Sequence, residues 1–205
     1  PPASKRIMVD NGTWARTLKR DNVSLNAVPI ERITEKGVVT SDGVLHEADV
    51  IVYATGFHAH RFLNPMKIVG RGGVELHEKW DGNASAYLGI TMPGFPNFFF
   101  MYGPNTNIVV NGSIIWFSER EANYICDSIG TILRTGIGSV DCKQQVHDRY
   151  KDWVDAGNKE MVWGVSTVNS WYKSPSGRVA QNWPYSLLEF WQQTRSINLD
   201  DYVTT

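Results

Sequence analysis

Three short stretches carry the residue types best suited to holding a ligand: Ala54-Thr55-Gly56-Phe57, Gly103-Pro104-Asn105 and Asn111-Gly112-Ser113. In each, glycine lets the backbone approach a ligand without a Cβ in the way. Thr55 and Gly56 close the apolar run Asp49 to Tyr53, which predicts a parallel strand buried on both faces. In open α/β sheets, cofactors sit at that end of a strand. Gly103-Pro104 closes a second apolar run, Asn97 to Met101, predicted as a short strand. The small polar loop Asn111-Gly112-Ser113 then leads into a helix, where entry N–H groups can donate to an acceptor. A helix-entry loop with no ligand explains that loop equally well. Read alone, Lys5-Arg6 is a pair of solvated cations, and Ser170-Trp171-Tyr172 is packing.

Other chemistries lack their residues. Gly70-Arg71-Gly72-Gly73 and Gly136-Ile137-Gly138 have the wrong spacing for a pyrophosphate cradle and read as surface turns. No Gly-x-Ser-x-Gly or Ser-His-Asp arrangement supports a hydrolase. His58 and His60 have no Cys, Asp or Glu close by, so no metal is expected. Cys126 and Cys142 form no CxxC pair and read as thiols in a reducing compartment, the cytoplasm. The net charge of −1 gives no basic stripe for nucleic acid, and no apolar run is long enough for a bilayer.

The elements that must position these residues are legible as patterns. Val23-Ser24-Leu25, Ile30–Thr34, Val38–Thr40 and Asp49–Ala54 read as strands, with turns at Lys36-Gly37 and Ser41-Asp42-Gly43. Gly12 to Lys19 reads as a short helix or turn, and 57–97 as loop with a flexible tip at Gly70–Gly73. Ser118-Glu119-Arg120-Glu121 fits a capping box opening a helix that Gly136 ends. A second helix runs from about Lys143, with Val146, Tyr150, Trp153, Val154 and Met161 on one face; a third runs from Pro184 to Trp191. Pro1-Pro2-Ala3-Ser4 carries no initiator Met, so the chain reads as a fragment of a longer polypeptide.

Several motifs occur in a telling order: Lys5-Arg6, Arg20-Asp21-Asn22-Val23, Asp49 to Phe57, Glu78-Lys79-Trp80, Tyr87-Leu88-Gly89, Gly94-Phe95-Pro96-Asn97, Gly103-Pro104 and Ser170-Trp171-Tyr172. In that order they resemble the carboxyl-terminal part of a type I Baeyer–Villiger monooxygenase. The tail, with Gly177-Arg178 and Asn182-Trp183-Pro184, is similar to the aryl-ketone branch typified by 4-hydroxyacetophenone monooxygenase. The resemblance implies an α/β fold: a β-meander plus helices, from a flavoprotein with two Rossmann-like dinucleotide-binding domains. Residues 1–52 would belong to the NADPH-binding domain and 53–205 to the FAD-binding domain.

The implied reaction uses FAD, NADPH and O2 to turn a ketone, an aryl ketone in that branch, into an ester or lactone. Lys5 would contact the 2′-phosphate of NADPH. Arg6 would be catalytic, holding negative charge on the oxygenated flavin and the adduct. Thr55, Gly56, Gly103, Pro104, Asn111, Gly112 and Ser113 would line the cofactors. Trp171, on a closing loop, would hydrogen-bond NADP. The family's Gly-rich turns would precede residue 1, so the amino-terminal half of the same polypeptide is an expected partner; a homodimer is a further expectation. Two alternatives stay open: an N- or S-oxidising flavin monooxygenase, and a non-catalytic module that binds a partner through its Trp-rich tail.

Overall fold

Tight turns, not long strands, organise the first fifty residues of the computed structural model, which describes residues 9–109, 112–165, 167 and 170–205. The chain divides into two units, the first ending at Phe57 and the second beginning at His58. In the first, the Asp10 carboxylate accepts the N–H groups of Gly12 and Trp14 and so opens the short helix α1 (Thr13–Thr17). Strands β1 (Ile30–Thr34), β2 (Gly37–Thr40) and β3 (Leu45–Glu47) then form an antiparallel meander in that order. Gly37 is required where β2 passes β3: its φ is +146°, and a Cβ would lie 2.1 Å from the His46 carbonyl oxygen.

Two strands expected in this unit are absent. Val23–Leu25 is irregular, and so is Asp49–Ala54, where Val50, Val52 and Tyr53 are exposed. A parallel strand exists only through neighbours that pair with it. Among the described residues none pairs with 49–54.

The second unit is mostly helical. The expected loop at 57–97 contains a 3-10 turn (Arg71–Gly73) and a helix, α2 (Leu76–Trp80). The glycine tip is held, because Arg71 N donates to Gly94 O at 2.8 Å and the Arg71 guanidinium meets Asp141 at 3.2 Å. Asn97–Met101 is not a strand; Phe100 N makes a single reach to Ile90 O. Helix α3 (Ile114–Thr135) starts four residues before the expected capping box. Ser113 is its N-cap, with Oγ accepting from Ile115 N, and Gly136 ends it at φ 72°. Ser118 and Glu121 therefore lie inside the helix.

Strand β4 (Val140–Cys142) leads into α4 (Gln144–Lys159), which begins where the pattern placed it but stops short of Met161. Helix α5 (Leu187–Gln193) is capped by Ser186, so Pro184 precedes the helix instead of opening it. A second 3-10 turn (Leu199–Asp201) feeds β5 (Tyr202–Thr204), which pairs antiparallel with β4. The largest core cluster joins Leu88, Ile90, Phe117, Tyr124, Trp183 and Phe190. Each such side chain contributes about 1.5–3 kcal/mol on burial. Among the described residues no helix is long and apolar enough to cross a membrane.

Candidate functional site

In the second unit, a cavity of about 380 Å3 is lined by Phe62, Tyr102, Gly103, Asn107, Trp171 and Gln181, among others. One wall is the turn through Tyr102, Gly103, Pro104 and Asn105. It hangs on partners distant in sequence: Asn105 N donates to Ala180 O at 2.9 Å, Asn107 N to Gln181 O at 2.9 Å, and Trp183 N to Asn107 O at 2.8 Å. These bonds lay 105–107 beside 180–183 as a short parallel ladder around the Asn107–Asn182 bridge.

Tyr102 has φ 53° and Asn105 φ 62°. Asparagine tolerates that left-handed conformation, whereas a tyrosine keeps it only when its surroundings over-determine it. Here they do. Tyr102 N donates to Glu121 Oε2 at 2.8 Å, and its hydroxyl donates to Asn107 Oδ1 at 3.1 Å. Asn107 Nδ2 donates in turn to Asn182 Oδ1 at 2.7 Å. Burial pushes the Glu121 carboxyl up to about 7, against the downward pull of the Tyr102 N–H and the Thr106 hydroxyl.

Arg178 locks the back of this turn. Its Nε donates to both Asp155 oxygens at 2.8 and 2.9 Å, Nη1 to Ala84 O at 2.6 Å, and Nη2 to Asn105 Oδ1 at 3.0 Å. One planar fork thus ties α4, the Ala84 segment and the cavity turn together.

The expected site residues scatter. Gly103 and Trp171 come together in the cavity. Pro104 is fully buried behind it. The Ser113 hydroxyl is occupied by capping α3, and Gly112 packs so closely that a Cβ would lie 2.5 Å from Ile108 Cδ1. Thr55 and Gly56 are exposed in the first unit, with open space around Gly56 and φ 86°. Lys5, Arg6 and Asn111 lie outside the described residues. Trp171 is half-exposed, tilted against Tyr172 at 4.7 Å between ring centres, and its indole N–H donates to nothing among the described residues.

The sequence reading missed Tyr102, Asn107, Gln181, Glu121 and Arg178. The one available signal was the cluster of polar side chains in Asn105-Thr106-Asn107 directly after Gly103-Pro104. A second cavity, also about 380 Å3, is lined by residues including His60, Arg61, His77 and Trp80. Among the described residues no group of three or more His, Cys, Asp or Glu is placed to hold a metal ion.

Gly103 earns its place by packing. A Cβ there would lie 2.1 Å from Gly89 O and 2.5 Å from the Phe100 ring. Gly103→Ala is therefore expected to lower stability by about 1–3 kcal/mol, read as a urea midpoint. An unchanged midpoint would show that the turn can move aside.

No protein-family model matches the chain. The uncharacterized monooxygenase y4iD of Sinorhizobium fredii is 33% identical over 205 residues, covering 100% of this chain and 31% of that protein. A Baeyer-Villiger monooxygenase of Streptomyces coelicolor is 33% identical over 199 residues, 97% of this chain and 38% of that one. Among solved structures, OTEMO in complex with FAD and NADP superposes with a TM-score of 0.84 at 26% identity, covering 98% of this chain and 38% of that chain. The chain spans roughly a third of the length of the curated relatives it matches. Its mixed α/β fold is that of the carboxyl-terminal part of such FAD- and NADP-binding structures.

Proposed function

We propose that this chain is the carboxyl-terminal part of a flavin-dependent Baeyer–Villiger monooxygenase that uses NADPH and O2 to convert a ketone into an ester or lactone. The observation that carries the reading is the cavity that gathers Gly103 and Trp171, two residues the sequence pattern had separated by 68 positions. Its lining suits a planar ring: aromatic faces from Tyr102 and Trp171, glycine backbone, and a few amides for orientation. FAD, reduced by NADPH, supplies the oxygen-transfer chemistry when bound. The chain's own residues position and enclose. The Trp171 indole N–H, uncommitted among the described residues, would donate to the nicotinamide cofactor, while Gly103, Gly112 and Ser113 would present backbone to the flavin, with Pro104 buried behind Gly103. By the resemblance, Lys5 would meet the 2′-phosphate and Arg6 would stabilise the developing negative charge.

Residues 1–52 are assigned to the NADPH-binding domain and 53–205 to the FAD-binding domain, a division supported by the unit boundary at Phe57 and His58. The amino-terminal part of the polypeptide is the partner that completes both cofactor sites. An aryl ketone is the proposed substrate, supported by the Gly177-Arg178 and Asn182-Trp183-Pro184 tail. The unpaired thiols, Cys126 exposed and Cys142 buried, suit a cytoplasmic location. The reading as a binding module is disfavoured, because Trp163 and Trp183 are buried and Trp153 stacks on Tyr185 at 4.0 Å. These three are taken up by packing, which leaves Trp171 in the cavity and Trp191 beneath the Arg195 guanidinium.

The test is a chimera in which residues 1–205 replace the matching segment of the Streptomyces coelicolor relative. It is expected to hold FAD through gel filtration and to form ester from an aryl ketone with NADPH oxidation. A chimera that holds FAD and oxidises NADPH yet makes no ester would sink the assignment. In the active chimera, Trp171→Phe is expected to weaken NADP binding about tenfold, the worth of one hydrogen bond.

A further inference from the structure

We propose that Glu121 is the positioning residue of the cavity: from α3 its carboxyl holds the Tyr102 N–H directly and bears on the Gly103 C=O through the Thr106 hydroxyl, and these two backbone groups set the ligand-facing wall. A glutamate inside a helix normally reaches solvent, yet Glu121 is 0% exposed. Its Oε2 accepts the Tyr102 N–H at 2.8 Å, the bond that holds a tyrosine at φ 53°. Its Oε1 has no partner among the described residues. An ionised carboxylate left like that in a dry site is costly.

The neighbouring hydroxyl is engaged elsewhere. Thr106 Oγ1 donates to Gly103 O at 2.9 Å. A hydroxyl has one proton and two lone pairs. Thr106 lowers the Glu121 pKa, as only a donor to the carboxylate can, so its one proton answers both to Gly103 O and to Glu121. The neutral acid keeps the Tyr102 N–H on Oε2 and leaves the Thr106 proton on Gly103 O. Ionisation draws that proton toward the carboxylate and away from Gly103 O.

The groups that act on Glu121 are few. Burial raises its pKa; the Tyr102 N–H and the Thr106 hydroxyl, neither of which ionises near neutrality, lower it. From α4 the Tyr150 phenol faces it, itself raised by burial first and by the Glu121 charge second. Arg120 precedes it on α3. The inference rests on the cavity wall and not on which ligand the cavity takes.

The test uses the purified chain without cofactor, so its failure is separate from failure of the functional assignment. In a 15N NMR titration, the Tyr102 and Gly103 amides are expected to shift together with one midpoint near pH 7. The infrared carbonyl stretch of a buried protonated acid should vanish over the same range. Glu121→Gln, which accepts and donates without titrating, is expected to remove that infrared band and to leave both amides fixed near their acidic positions. Amides that stay put in the native chain, or that move equally in the Gln variant, would overturn the proposal. If the variant does not fold, the titration of the native chain decides alone.

Discussion

Substituting Arg178 by Met is expected to lower the stability of the second unit by about 3–5 kcal/mol, the cost of breaking a buried ion pair from one side. The Arg178 and Asp155 side chains are 12% and 19% exposed, so little solvent screens the loss. Among the described residues Asp155 would keep only Lys151, at 3.4 Å. Ala84 O and Asn105 Oδ1 would each lose a charge-assisted donor as well. Lysine in place of Arg178 restores charge but not the fork, and is expected to recover less than half of the loss. Against a total stability of about 5–15 kcal/mol for a domain, the Met variant should unfold at a urea midpoint lower by roughly 1 M or more. A shift of the size seen for exposed ion pairs, below about 1 kcal/mol, would refute the view that this fork joins three segments.

Arg178 was invisible as a keystone in the sequence because its partners are 23, 73 and 94 positions away. Periodic patterns report local structure, and they served well for the start of α4 and for β1 and β2 with the turn at Lys36-Gly37, but they did not mark β3 (Leu45–Glu47). The start of α3 shows where such patterns fail. Ser118 and Glu121 stand three apart, as in a capping box, but any two residues on one helical face share that spacing. The preceding Ile114–Phe117 run let the helix extend back to Ser113, and Glu121 then turned to the core, where it accepts the Tyr102 N–H, instead of to the first turn of its own helix. The 49–57 run misled in a different way. Its apolar composition describes the environment such a segment fits, while pairing is set by other strands, and Val50, Val52 and Phe57 are exposed here. Gly103 was singled out for approach to a ligand; its contacts with Gly89 and Phe100 show that the fold needs a glycine there regardless.

Glu121→Gln is expected to stabilise the chain at alkaline pH by about 3 kcal/mol relative to the native sequence, with little difference at pH 4 to 5. In the unfolded chain the glutamate titrates at its ordinary 4.5, and in the fold at about 7. The folded state therefore holds the proton over that interval. Its contribution to stability is complete below pH 4.5 and is lost as the pH rises through 7, by about 1.4 kcal/mol for each pH decade between the two values. Above pH 7 the native fold carries a buried charge that glutamine does not. His147 acts in the opposite sense. Burial against Ser85 holds its imidazole below the ordinary 6.5, despite the pull of Asp148, so its contribution is present above 6.5 and disappears on acidification. The native pH–stability curve is thus a sum of opposing slopes, and only the difference between native and Gln urea midpoints from pH 4.5 to 9 isolates Glu121. That difference should open steadily between pH 5 and 7 and then level off. A difference that stays flat across the range would mean that Glu121 keeps an ordinary carboxylate pKa in the fold. Both the raised pKa and the neutral clamp on the cavity wall would then be wrong.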